Sequence, residues 1–507
     1  MPFLLLLVLF AASVTSAQET RALSDATLAS ARALFKQGKF AQAAAAYRVI
    51  LEKDKSSVPA YAGLAQSYLK ADDVSAADEI SSTAITALPQ SALVHAIRGD
   101  VNFRQGLLAE AESEYRAAAR LDQKCSRAWL GLGRIYSAVS LKKQANEFFA
   151  KAHDLDPDDG DALYHWAIQL PYPSSVAELE KHLAHYRSTP EEERREREFI
   201  DLIRGIAGRE VWVGPTNLET EIKLELLSPR PGLVLGMGAR VKFNNSVTGT
   251  LLLDTGASWM TIPRKLAEKI GARKISDYAI EGVGESTPAS GYFAWVDKIT
   301  VGDVEFHDCV VHVTPNSRGT DEDGILGTDI FSNYLLTIDF PGRKLELAPL
   351  ENKLLVSGEM LIRPISQQPA NGPVFNFGHL LLLPAHVNQA TAGLFVLDTG
   401  ANTTSISTEM AKRAGKLRDT NNRVTGSRGE VTKVYALQEA LLEFSGAAAQ
   451  KRDLVAFDRR SLSKQLGTEV SGFIGFDALS RSKVRINYRD GWVGFNVRIN
   501  PESTRGN

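Results

Sequence analysis

Small and apolar positions recur in register through the first third of the chain. Gly38, Asp72, Gly106 and Ser140 stand 34 residues apart, and five residues beyond each come Ala43, Ala77, Ala111 and Ala145. Four further along stand Tyr47, Ser81, Tyr115 and Phe149. A tiny side chain where two helices touch, then a bulky one that the next copy covers, is what stacked antiparallel helix pairs require. The pattern predicts such pairs over residues 24 to 157. Pro171-Tyr172-Pro173 stops the array, and Thr189-Pro190-Glu191-Glu192 opens a further helix, with Thr189 as N-cap, Pro190 at the first position and Glu192 closing a capping box. The pairs Glu191/Arg195 and Glu193/Arg197 put the acid first at a spacing of four, so this reads as a solvated linker helix ending near Gly205 or Gly208. Past residue 210 the pattern changes to short runs such as Arg240-Val241-Lys242-Phe243 and Thr250-Leu251-Leu252-Leu253, separated by Gly, Asn and Asp turns. Those runs predict strands.

In the fourth helical copy Trp129, Leu132, Gly133, Tyr136, Ala145, Phe149, Ala152 and Pro157 fall at the spacings of a tetratricopeptide repeat, and Tyr61, Leu64, Ala65, Tyr68, Ala77, Ala84 and Pro89 do so in the second. The region resembles a solenoid of four such repeats, the first and third more degenerate, with a partial fifth helix through Leu163 and Trp166. The resemblance implies a concave surface for a peptide or partner protein. A stack that only spaces or caps the next domain is the other reading. Arg98, Arg104, Arg127 and Arg134 would clamp a carboxylate under the first reading and be solvated surface under the second.

The strand-rich half contains one unit twice. Leu251-Leu252-Leu253-Asp254-Thr255-Gly256-Ala257-Ser258 returns as Phe395-Val396-Leu397-Asp398-Thr399-Gly400-Ala401-Asn402, 144 residues later. Gly324-Ile325-Leu326-Gly327-Thr328-Asp329 returns as Gly472-Phe473-Ile474-Gly475-Phe476-Asp477, 148 later. A lone Asp-Thr-Gly is a weak signal, but two copies, each after an apolar strand and each followed by an apolar-apolar-glycine element, are specific. Residues 225–350 and 370–497 resemble the retropepsin-type aspartic proteases.

That resemblance implies an all-β double lobe and peptide-bond hydrolysis by a dyad of Asp254 and Asp398, one from each lobe. Cutting an amide without a metal or covalent nucleophile needs a base for water and an acid for the carbonyl oxygen, and two carboxylates sharing one proton supply both. Gly256 and Gly400 would allow the tight loops, Thr255 and Thr399 would bond across to the opposite loop, and Ser258 and Asn402 would stand beside the carboxylates. Asn402 departs from the first copy, although an amide can still donate. Asp329 and Asp477 would be scaffold acids that bond backbone. The segments Ile280 to Glu285, with Gly282, Val283 and Gly284, and Val424 to Gly429, with Gly426 and Ser427, resemble flaps that close over a peptide. Trp259 and Met260 would line a subsite or pack in the core. Pairing of the lobes within one chain or between two chains stays open, as does a rival reading in which inactive lobes of an exported scaffold bind peptides.

At 507 residues the chain has room for several domains. The expected organisation is an apolar leader at 1–17, an all-α repeat domain at 24–170, a helical linker at 171–210, and all-β lobes at 211–352 and 353–500. Lys+Arg 58 against Asp+Glu 60 gives no positive field for nucleic acid or an anionic membrane. Cys125 and Cys309 provide neither a disulfide framework nor a CxxC site. His307 and His312 point to opposite faces of a strand, His182 and His185 share a helix face without a zinc-site acid, and no HExxH, GxSxG or phosphate-binding loop occurs. No metal or cofactor is expected. Met1 to Phe10, followed by small residues to Ala17, predicts a cleaved leader, too short to span a bilayer, and hence export to the periplasm or beyond with no membrane attachment after cleavage.

Overall fold

The computed structural model describes residues 27–497 apart from 229–233, 245, 285–288, 316–323, 352–361, 363–370, 390, 421–422 and 427. The leader at 1–17, Glu285 and Ser427 therefore lie outside the described residues. The chain divides into two compact units, one mainly before Arg197 and one mainly from Arg197 onward.

In the first unit the helices Val58–Lys70, Ala92–Arg104, Ser126–Ala138 and Gly160–Ala167 begin 34 residues apart, and so do Phe40–Lys53, Val74–Ala87, Leu108–Leu121 and Lys142–Leu155. Ala43, Ala77, Ala111, Tyr47, Tyr115 and Phe149 are all buried. The large residues sit on glycines: a Cβ at Gly131 would come within 2.1 Å of Tyr115 Cε1, and one at Gly99 within 2.6 Å. The array extends to a fifth pair, because Ser174–His185 follows Gly160–Ala167. The four arginines are neither solvated nor waiting for a carboxylate. Arg98 pairs with Asp78 at 2.6 Å and Arg104 with Asp72 at 2.5 Å. Buried Arg127 reaches Asp100 at 2.6 Å, Asp161 at 3.0 Å and Asp159 at 3.2 Å, while Arg134 lies over Phe103.

The capping box forms as its residues require, with Thr189 N–H donating to Glu192 Oε2 at 3.0 Å and Glu192 N–H to Thr189 Oγ1 at 3.3 Å. The helix it opens, Pro190–Ile206, is not solvated throughout. Its charged first turns give way to apolar positions, and Leu202 is buried with Phe293, Trp295 and Val310. Glu198 accepts the Ala279 N–H at 3.1 Å.

Within the second unit two β-lobes repeat one topology. In the first, Gly236–Phe243, Val247–Asp254, Ile325–Gly327, Met260–Pro263, Val304–Thr314, Ser290–Val301 and Arg273–Ala279 lie side by side in that order. Leu380–Val387, Thr391–Leu397, Gly472–Ile474, Ser405–Ser407, Ala447–Phe457, Tyr435–Phe444 and Leu417–Asp419 keep the same order in the second. The lobes join through a six-stranded layer: Asn371–Pro373, Trp492–Val497, Ser482–Asn487, Tyr334–Asp339, Lys344–Pro349 and Thr220–Leu227. Its central pair is antiparallel, Val484 opposite Ile338 and Ile486 opposite Leu336, all four buried. The lobes thus pair within a single chain. Lys483 Nζ, on one lobe, meets Asp339 Oδ2, on the other, at 2.7 Å.

Candidate active site

Both Asp-Thr-Gly loops leave the ends of buried strands, and each strand is held by the apolar-glycine element that follows it in sequence. Leu252, Leu253 and Asp254 pair in parallel with Ile325, Leu326 and Gly327, as Phe395, Val396 and Leu397 do with Gly472, Phe473 and Ile474. Parallel pairing of strands far apart in sequence fixes where each aspartate emerges, because the partner strand is itself buried on both sides.

The two loops clasp each other. Thr255 Oγ1–H donates to Leu397 O at 2.7 Å and accepts the Thr399 N–H at 3.0 Å. Thr399 Oγ1–H donates to Leu253 O at 2.8 Å and accepts the Thr255 N–H at 3.0 Å. The four bonds satisfy buried backbone donors and acceptors that would otherwise be desolvated without a partner. The carboxyl groups consequently meet. A Cβ at Gly400 would stand 2.3 Å from Asp254 Cγ, and one at Gly256 2.9 Å from Asp398 Cγ, so only glycine admits the opposing carboxyl. Gly256 N–H donates to Asp254 Oδ1 at 2.7 Å, and Ala401 N–H to Asp398 Oδ1 at 2.8 Å. Loss of hydration, and then the charge of Asp254, with which it shares a hydrogen bond, raise Asp398 far above the usual carboxylate range.

The remaining residues expected at the site have varied positions. Ser258 Oγ is bonded to His312 Nε2 at 3.2 Å. Asn402 is exposed, and the donor that faces Asp398 is the Ala401 backbone. The second loop runs one residue longer before its strand, Asp398 to Ser405 against Asp254 to Met260. Asp329 accepts the Trp259 N–H at 2.8 Å, and Asp477 accepts both Thr404 N–H at 2.7 Å and its hydroxyl at 2.6 Å. Burial raises Asp329 to about 7. Met260 is core, and Trp259 packs against Phe293 and His312. The two flap segments meet: Val283 O accepts the Arg428 N–H at 2.8 Å, and a Cβ at Gly426 would fall 2.4 Å from that same oxygen. Gly282 and Gly284 have φ of 126° and 124°, a conformation suited to glycine.

Two side chains beside the dyad escape motif reading. His379, on the turn between Phe375–Phe377 and Leu380–Val387, reaches across to the Gly256 backbone and the charge of Asp254. Burial holds its ring below the usual imidazole range against those two pulls. The registers Gly238 to Leu252 and Leu382 to Val396 make Leu235 its counterpart in the first lobe. Counting back 19 residues from each aspartate gives Leu235 and His379, the sequence signal of this asymmetry. The second is Arg459, buried beyond the strand Ala447–Phe457 and within reach of the charge of Asp398.

Residues 239–330 and 383–478 each match the family described as aspartyl protease, and residues 34–101 and 98–160 match tetratricopeptide repeat families. The chain carries an aspartyl-protease domain in two copies behind tetratricopeptide repeats. Human (Homo sapiens) tetratricopeptide repeat protein 6 is 29% identical over 139 residues, which is 26% of this chain and 25% of that protein. The chain thus spans about a quarter of the length of that curated relative. Among solved structures, the aspartic proteinase from Irpex lacteus is similar at 13% identity, with a TM-score of 0.35 over 55% of this chain and 97% of that one.

Proposed function

We propose that the double lobe is an aspartic endopeptidase that cuts peptide bonds with a water held between Asp254 and Asp398. The observation that supports this most is the mutual packing of the carboxyls against Gly400 and Gly256 under a four-bond threonine clasp. A module that only binds peptide gains nothing from two close carboxyls, since one must keep its proton at a cost.

In this reading Asp398 holds the one proton that the pair shares. Asp254 takes a proton from water as its oxygen bonds to the scissile carbonyl carbon, and Asp398 gives its proton to the carbonyl oxygen. Collapse of the tetrahedral species, with a proton passed to nitrogen, breaks the C–N bond and restores the dyad. The joined flaps exclude water and offer backbone groups to an extended peptide. The repeat array recruits a protein substrate or partner by a surface other than its internally paired arginines. Export with cleavage after Ala17 belongs to the same proposal, supported by the apolar leader, and sequencing the mature amino terminus tests it. Digestion of denatured protein by the full chain, compared with Asp254→Asn, tests the chemistry: cleavage should depend on Asp254.

A further inference from the structure

Arg459 is a buried cation with no ion-paired carboxylate among the described residues. It is 4% exposed, and its guanidinium lies 4.0 Å from the ring centroid of Phe457 and 4.1 Å from that of Phe473. Nη2 donates to Ser405 Oγ, while Nε is buried with no hydrogen-bond partner among the described residues. Among the described residues no carboxylate forms an ion pair with it. The adjacent acid, Asp458, is taken by Arg460 at 2.5 Å. Desolvation lowers its pKa to about 9. An unpaired charge is expensive to bury and a guanidinium is built to grip a carboxylate in a fork.

Its surroundings place it at the proposed site. Phe473 pairs in register with Val396, two residues before Asp398, and Ser405 lies opposite Phe473 on the strand that follows the Asp398 loop. Aromatic contacts on the guanidinium and a hydroxyl on one edge fix its orientation. We infer that Arg459 forms a specificity subsite for an anionic side chain, so that the peptides cut here carry Asp or Glu beside the scissile bond, on the Asp398 side. This deepens the peptidase reading and rests on it.

The test uses the full chain and peptide pairs differing only by Glu against Gln at each position flanking the cut. A charge-assisted hydrogen bond predicts a preference of roughly 10- to 100-fold in kcat/KM for one Glu peptide over its Gln twin. In Arg459→Gln that ratio should fall to near one, and Arg459→Lys should retain part of it. Equal cutting of all pairs by the unmodified protein overturns the subsite while leaving the dyad intact, and needs no variant to fold. If nothing is cut, affinity of the same peptides for Asp254→Asn, read by fluorescence anisotropy, decides separately: a Glu preference that Arg459→Gln abolishes upholds the subsite even as the peptidase reading fails, and its absence overturns both.

Discussion

Replacing Gly400 by alanine perturbs the dyad without touching either carboxyl. The new Cβ would lie 2.3 Å from both Cγ and Oδ2 of Asp254, about an ångström inside ordinary van der Waals contact. At Gly256 the same change gives 2.9 Å to Asp398 Cγ and 3.1 Å to each oxygen, a conflict about half as deep. Neither glycine has a positive φ, so the effect is one of space, not of backbone strain. The threonine clasp prevents the loops from separating, so Asp254 must rotate out of line. A displacement of about 1 Å in a reacting group costs on the order of 10²-fold in rate. Gly400→Ala should therefore lower kcat by about 10²-fold and Gly256→Ala by clearly less, with overpacking lowering stability by roughly 1–3 kcal/mol in the worse case. Peptide turnover with circular dichroism melts on both variants measures this. Undiminished kcat in Gly400→Ala, or the reverse ranking in folded proteins, would refute the reasoning.

Other outcomes follow from neighbouring features. Thr255→Val removes a donor to Leu397 O and an acceptor for Thr399 N–H; two buried groups left without partners should cost about 2–4 kcal/mol in chemical denaturation, and Thr399→Val should match it. Asp329 keeps its proton in the folded state up to about pH 7, whereas the unfolded chain releases it from the usual carboxylate range near 3.8. The folded state then binds more protons, so its contribution is fully present below about pH 4 and declines by up to roughly 1.4 kcal/mol per pH unit until about pH 7. Asp329→Asn should flatten that part of a denaturant pH series. In the repeats, Asp100→Ala removes the nearest of the three carboxylates around buried Arg127 and should cost about 1.5–3 kcal/mol by thermal or urea unfolding.

The repeats and the duplicated loops were legible because both rest on spacing. A step of 34 fixes which helix faces which, and two Asp-Thr-Gly copies after apolar strands fix where carboxyls emerge. What spacing does not carry is the destination of a long polar side chain. Arg127 invites a reading as ligand clamp or as surface, yet three acids of its own fold, Asp100, Asp159 and Asp161, gather around it. The charged first half of the helix Pro190–Ile206 alone reads as solvated; Leu202, in its second half, is core. Asn402 stands one position after Ala401, and the exposed loop gives the bond to Asp398 to the backbone instead. His379 and Arg459 lie outside every motif, because they reach the dyad by a hairpin turn and by a strand end whose register exists only in the folded sheet.

The most direct measurement is turnover of a mixed peptide library by the full chain, by Asp254→Asn and by Asp398→Asn, each checked for native folding. The account predicts cleavage by the unmodified protein and at least a 10³-fold loss, on the order expected for removing an acid or base partner, in both variants. Cleavage that survives either substitution in a folded protein would contradict it.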